Sequence, residues 1–142
     1  METGIVPSLY APMVVVIIFA VATFTDIRSR RVPRWLTFGG MLLGVAVAAL
    51  GGWNVLLSSL VGLAVGGALL LPFVVKGGVG AADALLLAAG GAWLGWQPIL
   101  HVALWGALAG GVLALFALAR GRRSLPYAPA FLVGALLALA VR

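Results

Sequence analysis

The chain has 142 residues, of which 64% are hydrophobic and 8% are charged, and its mean hydropathy is +1.23. A domain of this size cannot bury so much apolar surface in water, so a water-soluble protein is excluded and lipid is the expected solvent. The chain has no cysteine and one histidine, His101, which excludes disulfides, thiol catalysis and zinc sites built from Cys and His. We expect no metal and no cofactor.

Six apolar segments approach the roughly 20 residues that cross about 30 Å of hydrocarbon, or somewhat fewer where the bilayer thins. They predict helices over residues 6–25, 35–50, 55–75, 81–96, 99–119 and 127–141. The first segment lacks a preceding basic residue and a convincing cleavage site, so it predicts a retained helix rather than a signal peptide. No linker divides the chain, and residues 1–142 are expected to form one all-α membrane domain.

The basic residues alternate between the connections in a way that predicts orientation. The first, third and fifth connections hold Arg28, Arg30, Arg31, Arg34, Lys76, Arg120, Arg122 and Arg123. The second and fourth hold no Lys or Arg. Because basic loops are retained in the cytoplasm, both termini are expected outside. The net charge of +6 therefore reflects membrane orientation, and no nucleic-acid partner is expected.

Glycines recur four residues apart inside the predicted helices. The pairs are Gly40 and Gly44, Gly62 and Gly66, Gly91 and Gly95, and Gly106 and Gly110. Small residues at this spacing let helix backbones approach closely in lipid. We interpret them as packing positions rather than as a dimerisation surface.

The chain contains three acidic residues, and Glu2 lies in the terminal tail. Asp26 is predicted at the cytoplasmic end of the first helix and Asp83 in the first turn of the fourth, so both are expected at one membrane face. Two carboxyl groups held close together share a proton, and one can activate water while the other protonates a carbonyl or a leaving amine. This is the chemistry of aspartyl proteolysis.

Position alone leaves other interpretations open. Asp26 could end its helix and pair with loop arginines, and Asp83 could cap the fourth helix. A small transporter or channel could use both acids for cations or protons, although their place near one face argues against that. A noncatalytic scaffold is a further alternative. Zinc and serine intramembrane proteases are excluded, because the chain has one histidine and no serine in a Gly-x-Ser-Gly context.

Three stretches together resemble the type IV prepilin peptidases, the GxGD membrane aspartyl proteases. The first runs from Asp26 through Arg28 and Pro33 to Leu36, and the second comprises Gly78, Gly80, Ala82 and Asp83 with the Gly-Ala-Trp-Leu-Gly-Trp segment after them. The third surrounds Pro126 and Pro129, before Gly134. The resemblance covers the chain from about Phe24 onward.

Three positions depart from that family's pattern. Ala82 stands where the second glycine of GxGD is expected, Leu85 replaces a common lysine, and Arg34 replaces an asparagine. Alanine tolerates fewer backbone conformations than glycine, so a loop that needs a positive φ at Ala82 would be strained. An inactive homologue that serves as a pilus-assembly scaffold therefore stays open.

The resemblance implies a function for each of these positions. Asp26 and Asp83 would be the catalytic pair, and Gly78, Gly80, Ala82, Arg28, Pro33, Pro126 and Pro129 would shape the loops around the substrate. The substrate would be a pilin-like precursor, cut after a glycine between its basic leader and its apolar helix. The chain looks like the short, peptidase-only branch of tight-adherence or Flp-type pili, located in the bacterial inner membrane and without methyltransferase activity.

Overall fold

The computed structural model describes residues 5–29, 33–77, 80–121 and 128–141. They form six α-helices in chain order: α1 (Ile5–Ser29), α2 (Arg34–Leu50), α3 (Trp53–Val75), α4 (Ala81–Leu94), α5 (Trp96–Ala119) and α6 (Ala128–Ala140). The prediction of an all-helical protein is confirmed. Three helices are long and apolar enough to cross a membrane, over Tyr10–Ser29, Trp53–Val75 and Trp96–Ala119. The other three helices are shorter.

Two predicted boundaries differ from the structure by more than two residues. The fifth helix is predicted to begin at residue 99, but Trp96, Gln97 and Pro98 already form the first turn of α5. Pro98 is compatible with this position because the first N–H groups of a helix have no partner within the helix. The chain instead turns at Gly95, whose φ of +84° favours glycine. At the other boundary, α1 continues four residues beyond the expected end and reaches Ser29.

Large apolar side chains cover the outside of the bundle. Leu50 is 89% exposed, and Leu42, Trp35 and Phe116 are also exposed. The interior is rich in alanine and glycine and also holds the polar residues Thr37, Ser59 and Asp83. A soluble protein of this size would hide such large apolar side chains. With its three long apolar helices, the chain is a membrane protein whose surface suits lipid.

Helix α4 lies at the centre of the bundle. It packs against α1, α2, α3 and α5, and residues 86–92 are all buried. A helix that is apolar all round is buried on every face. The short α4 therefore forms the core around which the longer helices are arranged.

The contact between α3 and α4 brings their backbones together. A Cβ atom on Gly66 would lie 2.5 Å from the carbonyl oxygen of Leu87, and one on Gly62 would lie 2.6 Å from the carbonyl carbon of Gly95. The hydroxyl of Ser59 donates a hydrogen bond of 2.6 Å to the carbonyl oxygen of Ala92. The predicted packing role is thus confirmed for Gly62 and Gly66.

Side-chain contacts hold the remaining helices. The indole N–H of Trp93 donates to the carbonyl oxygen of Gly40 at 2.8 Å, which ties α4 to α2. On the other side of the bundle, Phe131 of α6 packs so closely on α5 that a Cβ on Gly106 would lie 2.8 Å from its ring. At both contacts, the absence of a glycine side chain leaves room for a neighbouring helix or for an aromatic ring.

Replacing Gly62 with alanine should destabilise the protein by roughly 1–3 kcal/mol, because the new Cβ meets backbone atoms that cannot move unless α3 and α4 separate. Gly39→Ala is the matched control. No heavy atom lies within 4 Å of a Cβ at this position. In a helix interior, alanine is more favourable than glycine by about 1 kcal/mol. Thermal unfolding in detergent should show a lower Tm for Gly62→Ala alone; equal Tm values would contradict this packing.

Candidate active site

Asp83 is a buried acid in the first turn of α4, with 9% of its surface exposed. Its backbone N–H donates to the carbonyl oxygen of Gly80 at 3.1 Å, and its carboxyl group accepts a hydrogen bond from the backbone N–H of Gly80. An acid three residues after the N-cap that bonds back to it caps the helix. This capping role is real, but an exposed carboxylate would satisfy it equally well, so it does not explain the burial.

Asp26 lies in the last part of α1 and is half-buried. Its charge acts electrostatically on the carboxyl group of Asp83. Arg28, two residues further on, is exposed and lies over the ring of Phe24, with its guanidinium carbon 5.9 Å from the ring centroid. The acid thus faces the bundle while the neighbouring cation points outward.

The pairing of α1 with α4 brings the two acids to the same height in the bundle. Phe19 is fully buried, and its ring would lie 2.9 Å from a Cβ atom on Gly90. Asp26 follows Phe19 by seven residues, and Asp83 precedes Gly90 by seven. Seven residues are about two helical turns, so in two antiparallel helices both acids lie at the same height and on the facing sides.

Each aspartate also continues the buried stripe of its own helix. On α1, Val15, Phe19 and Ala22 are buried, and Asp26 is the next position at this spacing. On α4, Gly90, Leu87 and Leu86 are buried, and Asp83 is the next position towards the N-terminus. Side chains three and four residues apart share a helix face. Both carboxyl groups are therefore directed into the protein rather than into lipid.

We refer to the end of the bundle that holds both acids as the aspartate end. Helices α1, α3 and α5 end there, and α2, α4 and α6 begin there. Helix α4 runs antiparallel to α1 and α3 and parallel to α2. Helix α5 starts where α4 ends, at the opposite end of the bundle, and α6 runs antiparallel to α5. Arg28, Arg34, Lys76 and Arg120 lie at these helix ends. These four basic residues therefore lie at the same end of the bundle as the acids.

An open cleft of about 640 Å³ separates the first turns of α2 and α4 at the aspartate end. Its walls are formed by Pro33, Arg34, Thr37, Phe38, Ala81, Ala82 and Leu85. The cleft brings together two of the predicted site residues, Pro33 and Ala82, whereas Asp26 and Asp83 are not among its lining residues.

Ala82 lies in the first turn of α4 and not in a loop. Its backbone is helical, so the strain expected from alanine at a positive φ does not arise. Gly80 has φ −70° and ψ 145°, an extended conformation open to any residue, whereas Gly77 has φ +76°. Gly78 and Pro126 lie outside the described residues, and Pro129 lies in α6.

Thr23 and Thr37 are two polar residues near the acids that the sequence interpretation missed. Thr37 lines the cleft, and Thr23 precedes Asp26 by three residues, with Thr25 between them. The sequence feature that could have identified Thr23 is a hydroxyl about one helical turn before Asp26.

His101 is remote from the acids. It lies in α5 next to a cavity of about 520 Å³ at the opposite end of the bundle, and its Nδ1 lies 3.1 Å from the carbonyl oxygen of Gln97. Within the described part of the chain, no three His, Asp or Glu side chains come together as metal ligands.

A cross-linking experiment can test the convergence of the acids, since the chain has no cysteine of its own. We expect Asp26→Cys combined with Asp83→Cys to be joined by oxidation or by a short thiol-reactive linker, because the two positions face each other across α1 and α4. The control combines Asp26→Cys with Leu94→Cys, at the far end of α4, and should stay unlinked. Efficient linking of the control pair, or none of the test pair, would contradict the register.

Comparison with known proteins gives a family match and two relatives. Residues 13–115 match the model of the type IV leader peptidase family. Two proteins from Burkholderia pseudomallei, strains 1026b and K96243, both named prepilin leader peptidase/N-methyltransferase, are 44% identical over 61 residues. This match covers 40% of the chain and 20% of each relative. No solved structure shows a significant similarity.

The assignment to a short, peptidase-only branch stays a prediction. Because the family model covers most of the chain, the protein belongs to the type IV leader peptidase family.

Proposed function

We propose that the protein is a membrane aspartyl endopeptidase that removes the leader from type IV pilin-like precursors, with Asp26 and Asp83 as the catalytic residues. The observation that carries this proposal is the register of α1 against α4. From the contact of Phe19 with Gly90 we infer that the acids lie opposite each other, two turns away. Family membership supplies the reaction class.

The chemistry follows from two carboxyl groups that share one proton. The ionised carboxylate removes a proton from a water molecule, whose oxygen attacks the carbonyl carbon of the peptide bond. The protonated carboxyl group gives its proton to the carbonyl oxygen. As the tetrahedral diol collapses and the C–N bond breaks, the leaving amine takes up the proton of one acid, and one diol hydroxyl gives its proton to the other acid. The two acids then return to sharing one proton.

The substrate would lie along the bundle with its apolar helix in the membrane and its basic leader in the cytoplasm. The bond after the leader's glycine would then lie at the depth of Asp26 and Asp83. The cleft lined by Pro33, Thr37 and Ala82 opens at this end and offers space for an extended segment. Arg28 and Arg34 repel a basic leader, so anionic lipid headgroups are the counter-ions we expect between them.

The proposed orientation places the aspartate end at the cytoplasmic face of the bacterial inner membrane. All six helices would cross the bilayer, and both termini would lie outside. Arg28, Arg34, Lys76 and Arg120 at one end of the bundle support this orientation, since basic segments are retained in the cytoplasm. The shorter α4 would be shielded from lipid by its neighbours and need not match the full hydrocarbon thickness.

Purified protein should cleave a pilin-like precursor in detergent or liposomes, and Asp26→Asn and Asp83→Asn should each reduce cleavage by roughly 10³-fold or more. Members of a catalytic pair act as a unit, so removing either one removes the reaction. Glu2→Gln removes the third acid of the chain and should leave cleavage intact. Asparagine is nearly isosteric with aspartate, and an unchanged Tm would show that the variants fold. Full cleavage by either Asp variant would refute the proposal.

Cysteine labelling in intact cells can test the orientation. Lys76 and Asn54 are both exposed but lie at opposite ends of α3. We expect Asn54→Cys to react with a membrane-impermeant maleimide from outside and Lys76→Cys to react after the inner membrane is opened. The reverse pattern would show that the acids face outward.

A further inference from the structure

Thr23 has a side-chain oxygen that is buried and has no hydrogen-bond partner in the protein. The other threonines of the described helices differ. The hydroxyl of Thr25 donates within α1, with the carbonyl oxygens of Val21 and Ala22 at 3.0 and 2.9 Å, and that of Thr37 donates to Arg34 at 3.0 Å. Threonine in a helix commonly bonds back to a carbonyl three or four residues earlier. The Thr23 hydroxyl does not use this internal partner.

Thr23 lies close to Asp26, one of the two proposed catalytic residues. Thr23 precedes Asp26 by three residues, so the two side chains are neighbours on α1. A rise of 1.5 Å per residue puts Thr23 about 4.5 Å further from the aspartate end, towards the membrane interior. Among the described residues its hydroxyl oxygen is the buried side-chain polar atom without a partner, and such an atom requires an explanation.

We propose that Thr23 binds the main chain of the substrate on the membrane side of the cleaved bond, an inference that rests on the proposed function. A peptide bond must leave its helix before it can be attacked, and unwinding exposes N–H and C=O groups that lipid cannot satisfy. A hydroxyl both donates and accepts, so it can bond to either group. Thr23 is half-buried, so part of the residue is accessible, and rotation about its Cα–Cβ bond can redirect the hydroxyl.

The test uses Thr23→Val, which keeps the branched shape and removes the hydroxyl, and Thr23→Ser, which keeps the hydroxyl. We expect Thr23→Val to lower kcat/KM for a pilin-like precursor about tenfold, as for the loss of one hydrogen bond. Its Tm should be unchanged or higher, because no internal hydrogen bond is lost. Thr23→Ser should retain cleavage. Thr25→Val, whose hydroxyl bonds within its own helix, is the matched control and should cleave like the wild type.

Three results would overturn the inference. Wild-type kcat/KM in Thr23→Val would show that the hydroxyl does not contact substrate. A fall in Tm that accompanies the loss of cleavage would show a structural role. A shifted pH profile at unchanged KM would show that the hydroxyl acts through Asp26. Cleavage by the wild type and its loss in Asp83→Asn test the proposed function separately; without that cleavage the substrate role of Thr23 fails as well.

Discussion

The close contact of Phe19 with Gly90 is the constraint on which the candidate site depends. A side chain on residue 90 would push the Phe19 ring away, since a Cβ atom would already lie 2.9 Å from it. The absence of a side chain lets α1 approach the central α4 and fixes their relative register. Two turns further along, the same register brings Asp26 and Asp83 to one height. The chemistry at the aspartate end is thus set by packing deep in the bundle.

Lipid as solvent explains both the surface and the interior. Large apolar side chains face outward at little cost, and the inside is left for small residues whose backbones pack together, as Gly62 and Gly66 do against α4. Polar groups inside such a bundle need partners, which Ser59 and Trp93 find in carbonyl oxygens of other helices. Asp83 caps α4 through Gly80, and its burial beside Asp26 goes beyond what capping requires.

Hydropathy and charge predicted the number and order of the helices and the gathering of the basic connections, because both depend on local composition. The placement of Asp26 and Asp83 near one end of the bundle followed from the number and order of the helices. The register between α1 and α4 could not be predicted, since it depends on which residues meet across helices. The early start of α5 at Trp96 was missed because glycine and proline nearby indicate a turn without giving its position. In the sequence, a threonine three residues before Asp26 is weak evidence of a functional role. The structure strengthens that evidence because the Thr23 hydroxyl is buried without a hydrogen-bond partner.

The most direct measurement is an experimental structure of the protein in a lipid bilayer that resolves the carboxyl groups of Asp26 and Asp83. The account predicts that the two groups face each other between α1 and α4, close enough to share a proton directly or through one water molecule. It would be contradicted by carboxyl groups that point into lipid, or that lie on different sides of α4 with protein between them.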